Sequence, residues 1–278
     1  MIIPFTKVHG AGNDFIVVDN RAGLLSGMDI ADFVRRVCNR RLAVGADALM
    51  LVEMSDRGLP RMRLFNSDGS ESPMSGNGGR AFASYVHKKG IVKDSRFVFD
   101  TLGGEVEAWA ERHVVRLRLS PPRHVRLHVQ IAVDGTDYTV HSIDIQGVPH
   151  CVLYWGDLDS VSDEEIVKIG RKLRHHPVFE YGANVNFTEV LDEKTLRIRT
   201  YERGVEAETL ACGSGSTGAS VVSFLLGKVT PPVKVKTSSG EWLEVTWPGP
   251  DVRSSDLFLT GGVRHTVDGN ILPDAYMA

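Results

Sequence analysis

The sequence predicts an α+β fold in which two pseudo-symmetric, mostly antiparallel β domains each wrap a central helix. A glycine-rich phrase occurs once in each half of the chain, as Ser75-Gly76-Asn77-Gly78 and as Cys212-Gly213-Ser214-Gly215. Each copy follows a strand-like run and opens a helix-like run. Helical patterns are otherwise few, whereas short runs of alternating apolar and polar residues are frequent. Duplication of one half-chain explains the first two observations, and the third indicates that each half is mostly β-structure.

The composition is that of a soluble globular protein with room for two ordinary domains. The chain has 278 residues, of which 42% are hydrophobic and 24% charged, and its formal net charge is −3. No block of lysine and arginine stands out, so a nucleic-acid or membrane-surface partner has little electrostatic support. The N-terminus lacks a signal-peptide pattern and no apolar run could cross a bilayer. Three cysteines fit a reducing compartment, so the sequence predicts a cytoplasmic protein.

The first half supplies two helices among its strands. Residues 30–40 are predicted to form a helix behind an Asp29 cap, and a second helix is predicted to start near Gly76 and stop at Gly90. Alternating runs at 62–66, 97–100 and 114–119 predict half-buried strands. The buried stripe of the second helix is predicted to consist of Phe82, Tyr85 and Val86.

The second half repeats this plan. Asp134-Gly135 predicts a tight hairpin turn, and Ser162 to Glu165 has the spacing of a capping box that opens a helix. Another helix is predicted from Cys212 to Gly227, and the tail is predicted to be strand-like. The lead-ins also match, because Gly182-Ala183-Asn184 resembles the segment that begins at Gly10.

The predicted domain boundary lies at Pro121-Pro122, where the strand-rich first half ends. The domains are therefore expected at 1–122 and 123–262, with 263–278 returning to the first domain.

The two glycine-rich helix starts are candidate sites for carboxylate chemistry. A helix N-terminus has unpaired N–H groups and about half a unit of positive charge, so two such ends facing each other would clamp one α-carboxylate. Side chains at positions 75 and 212 would then lie on opposite faces of the α-carbon. A thiol suits this task, since a helix N-terminus lowers its pKa and makes thiolate available. The pattern indicates inversion at carbon by proton transfer, without a cofactor.

Other motifs favour ordinary structural roles. Cys38 and Cys151 are expected to be small buried hydrophobes. For Cys212 taken alone, a buried hydrophobe and a catalytic thiol are equally supported, and the duplication favours the catalytic thiol. Gly213-Ser214-Gly215 lacks the Gly-Lys-Ser/Thr that completes a phosphate loop, and Gly10-Ala11-Gly12 lacks the third glycine of a dinucleotide fingerprint. Surface placement is expected for four histidines, His87, His141, His175 and His176.

Several segments together resemble the diaminopimelate epimerase family. They are the run from Phe5 to Phe15, Gly45-Ala46-Asp47, the run from Phe65 to Glu71, the phrase at Ser75, and the run from Tyr201 to Gly215. The resemblance spans nearly the whole chain. It implies a pyridoxal-free epimerase that interconverts LL- and meso-diaminopimelate for lysine and cell-wall synthesis.

The resemblance also implies a set of site residues. Cys212 matches one catalytic thiol, Ser75 occupies the position of the other, and Glu202 and His150 match polar residues that tune the thiols. Arg203 is suited to a forked grip on the distal carboxylate. The matched substrate-binding positions are Asn13, Asn66, Gly76, Asn77, Asn184, Arg203, Gly213 and Ser214.

Three positions depart from the family pattern. The family has cysteine where this chain has Ser75, and a hydroxyl holds its proton more tightly than a thiol. Val148 replaces the asparagine of a Gly-Asn-Pro-His motif, and Ala48 stands where some members have glutamine. Ser75 is either an engineered replacement or natural to this branch, and the sequence leaves both open.

The departures leave other functions open. The fold could serve as a racemase of a different amino acid, as a one-base elimination enzyme, or as a binding protein that kept the carboxylate clamp without catalysis. The expected partner is a small amino acid in each case. A homodimer is left open as the assembly.

Overall fold

The computed structural model describes residues 1–277 and confirms the α+β fold class. The chain divides into two compact units, of which the first comprises Met1–Leu117 and the segment from Gly261 onward, and the second comprises Arg118–Thr260. Pairing within each unit is mostly antiparallel, and each unit buries one glycine-started helix against its strands.

The first unit begins with eight strands and two helices, and the last of these strands carries the chain across the unit boundary. In chain order they are β1 (Ile3–Gly10), β2 (Asn13–Asp19), α1 (Ile30–Val37), β3 (Ala48–Met54), β4 (Pro60–Asn66), β5 (Glu71–Ser72), α2 (Gly76–Lys88), β6 (Arg96–Thr101), β7 (Gly104–Glu111) and β8 (Val114–Leu119).

The second unit follows with nine strands and two helices. In chain order they are β9 (Arg123–Val133), β10 (Thr136–Ile145), β11 (Val148–Tyr154), α3 (Asp163–Arg174), β12 (Asn184–Asp192), β13 (Thr195–Glu202), β14 (Ala207–Thr209), α4 (Gly213–Leu225), β15 (Val233–Lys236), β16 (Trp242–Thr246) and β17 (Leu257–Gly262). The chain then forms β18 (Arg264–Ile271) of the first unit and a 3-10 turn at Pro273–Ala275.

The two units share one order of elements. The order from β1 to β8 in the first unit is repeated from β10 to β17 in the second, with α1 equivalent to α3 and α2 to α4. Strand β2 pairs parallel with β3, as β11 does with β12, and β4 pairs parallel with β6, as β13 does with β15. Strand β18 pairs antiparallel with β1, as β9 does with β10. Strand β18, from the C-terminal tail, therefore has the same position in the first unit as β9 has in the second.

This order corrects the predicted match of the lead-ins. The segment Gly182-Ala183-Asn184 leads into β12, whose equivalent is β3, so its partner in the first unit is Gly45-Ala46-Asp47. The segment that begins at Gly10 forms instead the connection from β1 to β2. The glycine-alanine similarity suggested the wrong pair because both segments precede a strand.

Local signals place most helix boundaries where the sequence predicts them. Ser162 caps α3 by accepting a hydrogen bond from the Glu165 N–H at 3.1 Å, and Asp29 caps α1 in the same way from Asp32. The prediction of a helix over 30–40 is too long at its end. Helix α1 stops at Val37, because the backbone of Gly45 turns back and donates to the Val37 carbonyl at 2.9 Å.

The hairpin turn at Asp134-Gly135 is confirmed, with positive φ of 50° and 77° between β9 and β10. The surface prediction is wrong for His141, which is 3% exposed on β10. Its Nδ1 accepts a hydrogen bond of 3.2 Å from the His128 N–H, since β9 bulges at that point.

Each unit has its own core. One buried cluster packs α1 against β1, β2 and β3, and another packs α3 against β11, β12 and β13. Cys38 and Cys151 are buried as predicted, and both thiols are unpaired. Within residues 1–277, no helix has the length and apolar character to span a membrane.

Candidate active site

Ser75 forms the start of helix α2. Its backbone is extended, with φ −140° and ψ 133°, and its hydroxyl accepts a hydrogen bond of 3.2 Å from the Gly78 N–H. A serine oxygen in this position satisfies one of the unpaired N–H groups of the first helical turn. The side chain that is the candidate proton-transfer group is therefore also the helix cap.

Cys212 occupies the equivalent position at the start of α4. Its backbone is also extended, with φ −117° and ψ 110°, and its sulfur accepts a hydrogen bond of 3.3 Å from the Gly215 N–H. The Ser214 hydroxyl lies 3.6 Å from the same sulfur. The structure thus gives positions 75 and 212 the same local geometry in their respective units.

The thiol of Cys212 differs from its prediction in acidity. Burial and the nearby Glu202 carboxylate raise the pKa of Cys212 to about 12 and outweigh the hydrogen bonds from Ser214 and Gly215, which lower it. The residue is 5% exposed, so little water is present to stabilise a thiolate. A pKa this high favours the protonated thiol at neutral pH.

Four side chains of the first unit form a chain of hydrogen bonds beside Ser75. Arg80 donates to Asn77 Oδ1 at 2.7 Å, Asn77 Nδ2 donates to Asn13 Oδ1 at 3.4 Å, and Asn13 Nδ2 donates to Asp47 Oδ2 at 2.8 Å. Arg80 and Asn77 are buried. These neighbours fix the orientation of each amide. The hydrogen bond between Asn77 and Asn13 brings two of the predicted site residues together at the start of α2.

Asn66 lies in a separate turn at the end of β4. Its Nδ2 donates to the Ser70 hydroxyl at 3.0 Å, and its side chain is exposed. A substrate-binding role for Asn66 stays a prediction.

In the second unit, Glu202 and Arg203 lie at the end of β13. Glu202 Oε2 accepts a hydrogen bond of 2.9 Å from Thr209 Oγ1. The Arg203 backbone N–H donates to Asn184 Oδ1 at 2.7 Å, which ties the arginine to the start of β12. The Arg203 guanidinium donates to the Tyr181 carbonyl at 3.3 Å and makes no ion pair within residues 1–277. Its charge is therefore available to an anionic ligand.

His150 is completely buried on β11, where it pairs with Asn184 of the parallel strand β12. Burial and the positive charge of Arg203 lower the pKa of His150 to about 3, so the ring is neutral at physiological pH. Asn186 Nδ2 lies 3.3 Å from its Nδ1. Asn186 was not among the predicted site residues. Its position two residues after Asn184 puts both asparagines on one face of a strand, which could have indicated it.

The two apolar departures have defined places. Ala48 is buried at the start of β3, opposite Asn66, and Val148 is half-buried at the start of β11. Neither carries a polar side chain that could bind a ligand. Within residues 1–277, no group of three or more His, Cys, Asp or Glu side chains could hold a metal ion.

Comparison with known proteins gives the family. The model of the family described as diaminopimelate epimerase matches residues 5–124 and 144–265. The chain is 39% identical over 279 residues to a diaminopimelate epimerase from Aquifex aeolicus, with 96% of this chain and 97% of the relative covered. It is 40% identical over 269 residues to one from Chlorobaculum tepidum, covering 95% and 99%.

The chain belongs to the diaminopimelate epimerase family. It is accordingly an isomerase, and the resemblance of its motifs to this family is confirmed. The segments that carry the helix starts, Ser75 and Cys212, both fall inside the matched residues.

Solved structures agree on the fold. A hydroxyproline epimerase from Agrobacterium vitis superimposes with a TM-score of 0.71 at 18% identity, covering 99% of this chain and 92% of its own. A PhzF-family phenazine biosynthesis protein from Bacillus anthracis gives a TM-score of 0.73 at 14% identity, covering 98% and 99%. At such low identity these likenesses show the fold alone, which this member of the diaminopimelate epimerase family shares with both proteins.

Proposed function

We propose that this protein interconverts LL- and meso-diaminopimelate by moving the proton on one α-carbon. The observation that carries the proposal is the family match over nearly the whole chain, together with an acid-base side chain that caps a buried helix in each unit. The start of each helix offers free N–H groups to a carboxylate.

The proposed chemistry uses Cys212 and Ser75 as a proton-transfer pair. A thiolate at Cys212 removes the α-proton, and a carbanion forms whose charge spreads into the α-carboxylate held by backbone N–H groups of Gly76, Asn77, Gly213 and Ser214. The Ser75 hydroxyl returns a proton to the opposite face. Donation leaves an alkoxide, which is a much stronger base than a thiolate, so this step is uphill and is expected to limit the rate.

The raised pKa of Cys212 has two opposing effects on this reaction. Few molecules carry the thiolate at neutral pH, but each thiolate is a stronger base than that of an ordinary cysteine. Glu202 contributes to this pKa, and we propose that tuning the thiol is its role.

The remaining contacts concern the far end of the substrate. Arg203 has no ion-pair partner within residues 1–277 and can hold the distal carboxylate through two parallel N–H bonds. We assign Asn13, Asn66 and Asn184 to hydrogen bonding of the substrate. A dicarboxylic amino acid fits Arg203 better than a monocarboxylic one does.

The test is incubation with LL-diaminopimelate in deuterated water. We expect deuterium at the α-carbon and formation of the meso isomer, both of which disappear in Cys212→Ala. Circular dichroism must show that the variant still folds, because loss of a helix cap costs about 1 kcal/mol. Absence of both deuterium and meso product in the unaltered protein would refute the proposal.

A second candidate keeps the chemistry and changes the substrate. Val148 is half-buried near His150 on β11, and Ala48 is buried at the start of β3, so two positions that carry polar side chains in other family members are apolar here. This favours a different amino acid, and α-hydrogen exchange across a panel of L-amino acids would reveal it. Turnover of diaminopimelate alone would exclude it.

The cellular setting is part of the proposal. The three unpaired cysteines are suited to a reducing compartment, and we infer a cytoplasmic enzyme. A homodimer is the working hypothesis for its assembly. Sedimentation equilibrium of the purified protein tests that hypothesis.

A further inference from the structure

His150 has a buried polar atom that no other described residue satisfies. The residue is 0% exposed, and its Nε2 has no hydrogen-bond partner within residues 1–277. Leaving a buried polar atom unpaired costs about 1–3 kcal/mol, so such atoms usually have a function. A ligand that brings a hydrogen-bonding atom would remove this cost.

The neighbouring Asn186 has an orientation that its surroundings determine. Its Nδ2 lies 3.2 Å from the Cys151 carbonyl oxygen and 3.4 Å from the Asn184 carbonyl oxygen. Carbonyl oxygens only accept hydrogen bonds, so this end of the amide must be the NH2 group. On the other side, Oδ1 accepts from the Thr200 hydroxyl at 3.0 Å.

This orientation determines which nitrogen of His150 carries the proton. The same Asn186 NH2 group lies 3.3 Å from His150 Nδ1, and an NH2 group can only donate. A protonated Nδ1 would place two donors against each other inside the protein. The neutral ring therefore has its single proton on Nε2, the atom that lacks a partner.

Asn186 also contacts the helix start that carries Cys212. A Cβ atom at Gly215 would lie 2.2 Å from Asn186 Oδ1, so only glycine allows α4 to approach the amide this closely. The amide thus connects the imidazole of His150 with the first turn of α4.

We propose that Asn186 is a positioning residue that holds His150 as the Nε2–H tautomer, so that His150 offers a neutral N–H donor to a carboxylate oxygen of the bound amino acid. The tautomer follows from the hydrogen bonds of Asn186. The donor role rests on the proposed function.

The tautomer is tested by nitrogen NMR of ligand-free protein with labelled histidine at neutral pH. We expect His150 to show a proton on Nε2 and none on Nδ1, with the signal assigned by its loss in His150→Gln. His141 is an internal reference for this tautomer, because its Nδ1 accepts from the His128 backbone. A proton on Nδ1 of His150 would overturn the proposal.

Asn186→Asp changes the group that sets the tautomer with little change in shape. A carboxylate facing Nδ1 accepts a hydrogen bond instead of donating one, so the proton of His150 is expected on Nδ1. Thr188→Val is the matched control, because Thr188 lies on the same strand and, within residues 1–277, its hydroxyl bonds only to the Asn186 carbonyl. An unchanged tautomer in folded Asn186→Asp contradicts the proposal, and if that variant does not fold, the measurement on the unaltered protein decides.

The donor role is tested by titrating Cys212→Ala with diaminopimelate, while calorimetry follows binding. We expect the Nε2 resonance of His150 to shift and the Nδ1 resonance to stay. Binding without a shift at Nε2 overturns the donor role. Absence of binding counts against the proposed function. The tautomer of His150 is then decided by the nitrogen NMR measurement alone.

Discussion

The backbone N–H of Gly215 lies 3.3 Å from the sulfur of Cys212, yet the pKa of this thiol is raised to about 12. The helix start favours the thiolate, but burial and the Glu202 carboxylate oppose it and prevail. The acidity of this candidate proton-transfer group is therefore governed by its surroundings more than by the helix that it caps.

Replacing Glu202 should change the reactivity of Cys212. The carboxylate raises the pKa of the thiol, so Glu202→Gln is expected to lower that pKa and to shift the pH profile of alkylation to lower pH. The measurement is the rate of iodoacetamide labelling of the unaltered protein and of the variant, compared at each pH from about 6 to about 10.

The control for this experiment is Glu244→Gln on β16, which removes a carboxylate that is not among the main causes of the raised pKa of Cys212. Cys212→Ala gives the background from the two buried cysteines. A profile that Glu202→Gln leaves unchanged, or moves to higher pH, would show that Glu202 does not act on the thiol.

Ser75→Cys is expected to accelerate epimerisation. A thiol gives up its proton far more readily than a hydroxyl, so the uphill proton return becomes easier, and kcat should rise by roughly 10-fold or more. The helix cap is retained because sulfur accepts the same N–H bond at Cys212. Formation of meso-diaminopimelate measures the effect.

Ser95→Cys, an exposed position, controls for the added thiol. If Ser75→Cys leaves kcat unchanged or lowers it, serine is the adapted group of this branch. Tight binding of diaminopimelate without turnover in either form would instead indicate a non-catalytic carboxylate binder.

Arg203→Lys should weaken binding of a dicarboxylic substrate. Lysine keeps the charge but cannot form two parallel bonds to a carboxylate, so KM for diaminopimelate is expected to rise about 10-fold, with a smaller change in kcat. Arg253→Lys, on an exposed turn, is the comparison. A fall in kcat with constant KM would place Arg203 in another role.

Gly215→Ala should destabilise the second unit. The new Cβ would lie 2.2 Å from Asn186 Oδ1, which is far inside contact distance, and a loss of about 2 kcal/mol in the free energy of unfolding is expected. Gly218→Ala, whose Cβ would lie 3.1 Å from Ile143, is expected to cost less. Urea denaturation compares the two, and equal losses would argue against the close approach.

Acid should weaken the first unit through Asp14. Burial raises the pKa of Asp14, but hydrogen bonds from Arg40, the Asp47 N–H and Lys7 outweigh it and lower the pKa to about 2. A depressed pKa in the folded state stabilises above the unfolded value, so this contribution is complete above about pH 4 and is lost as the pH falls toward 2. Tm measured from pH 5 to about 2 should fall more steeply than in Asp14→Asn. Parallel curves would contradict this assignment.

Features that a few neighbouring residues determine were predictable from the sequence. The capping box at Ser162 and the turn at Asp134-Gly135 depend on local backbone geometry, and both are where the sequence places them. The end of α1 was not predictable, because a hydrogen bond from Gly45, eight residues further on, closes the helix at Val37.

The sequence supplies candidate site residues through its motifs, but not their electrostatics. The motifs that contain Ser75 and Cys212 are contiguous and specific to the family. The raised pKa of Cys212 and the role of Asn186 depend on burial and on the pairing of β11 with β12, which bring together residues far apart in the chain. The two halves were also matched one strand out of step, because a shared Gly-Ala pair precedes strands that are not equivalent.

In this protein the atoms proposed to transfer protons are the same atoms that begin the two central helices. Sulfur and oxygen both accept the backbone hydrogen bond that this position requires, so one can replace the other while the architecture stays intact. Evolution can consequently exchange the reagents of this fold independently of its scaffold, which is a route to new reactions that needs only a single nucleotide substitution.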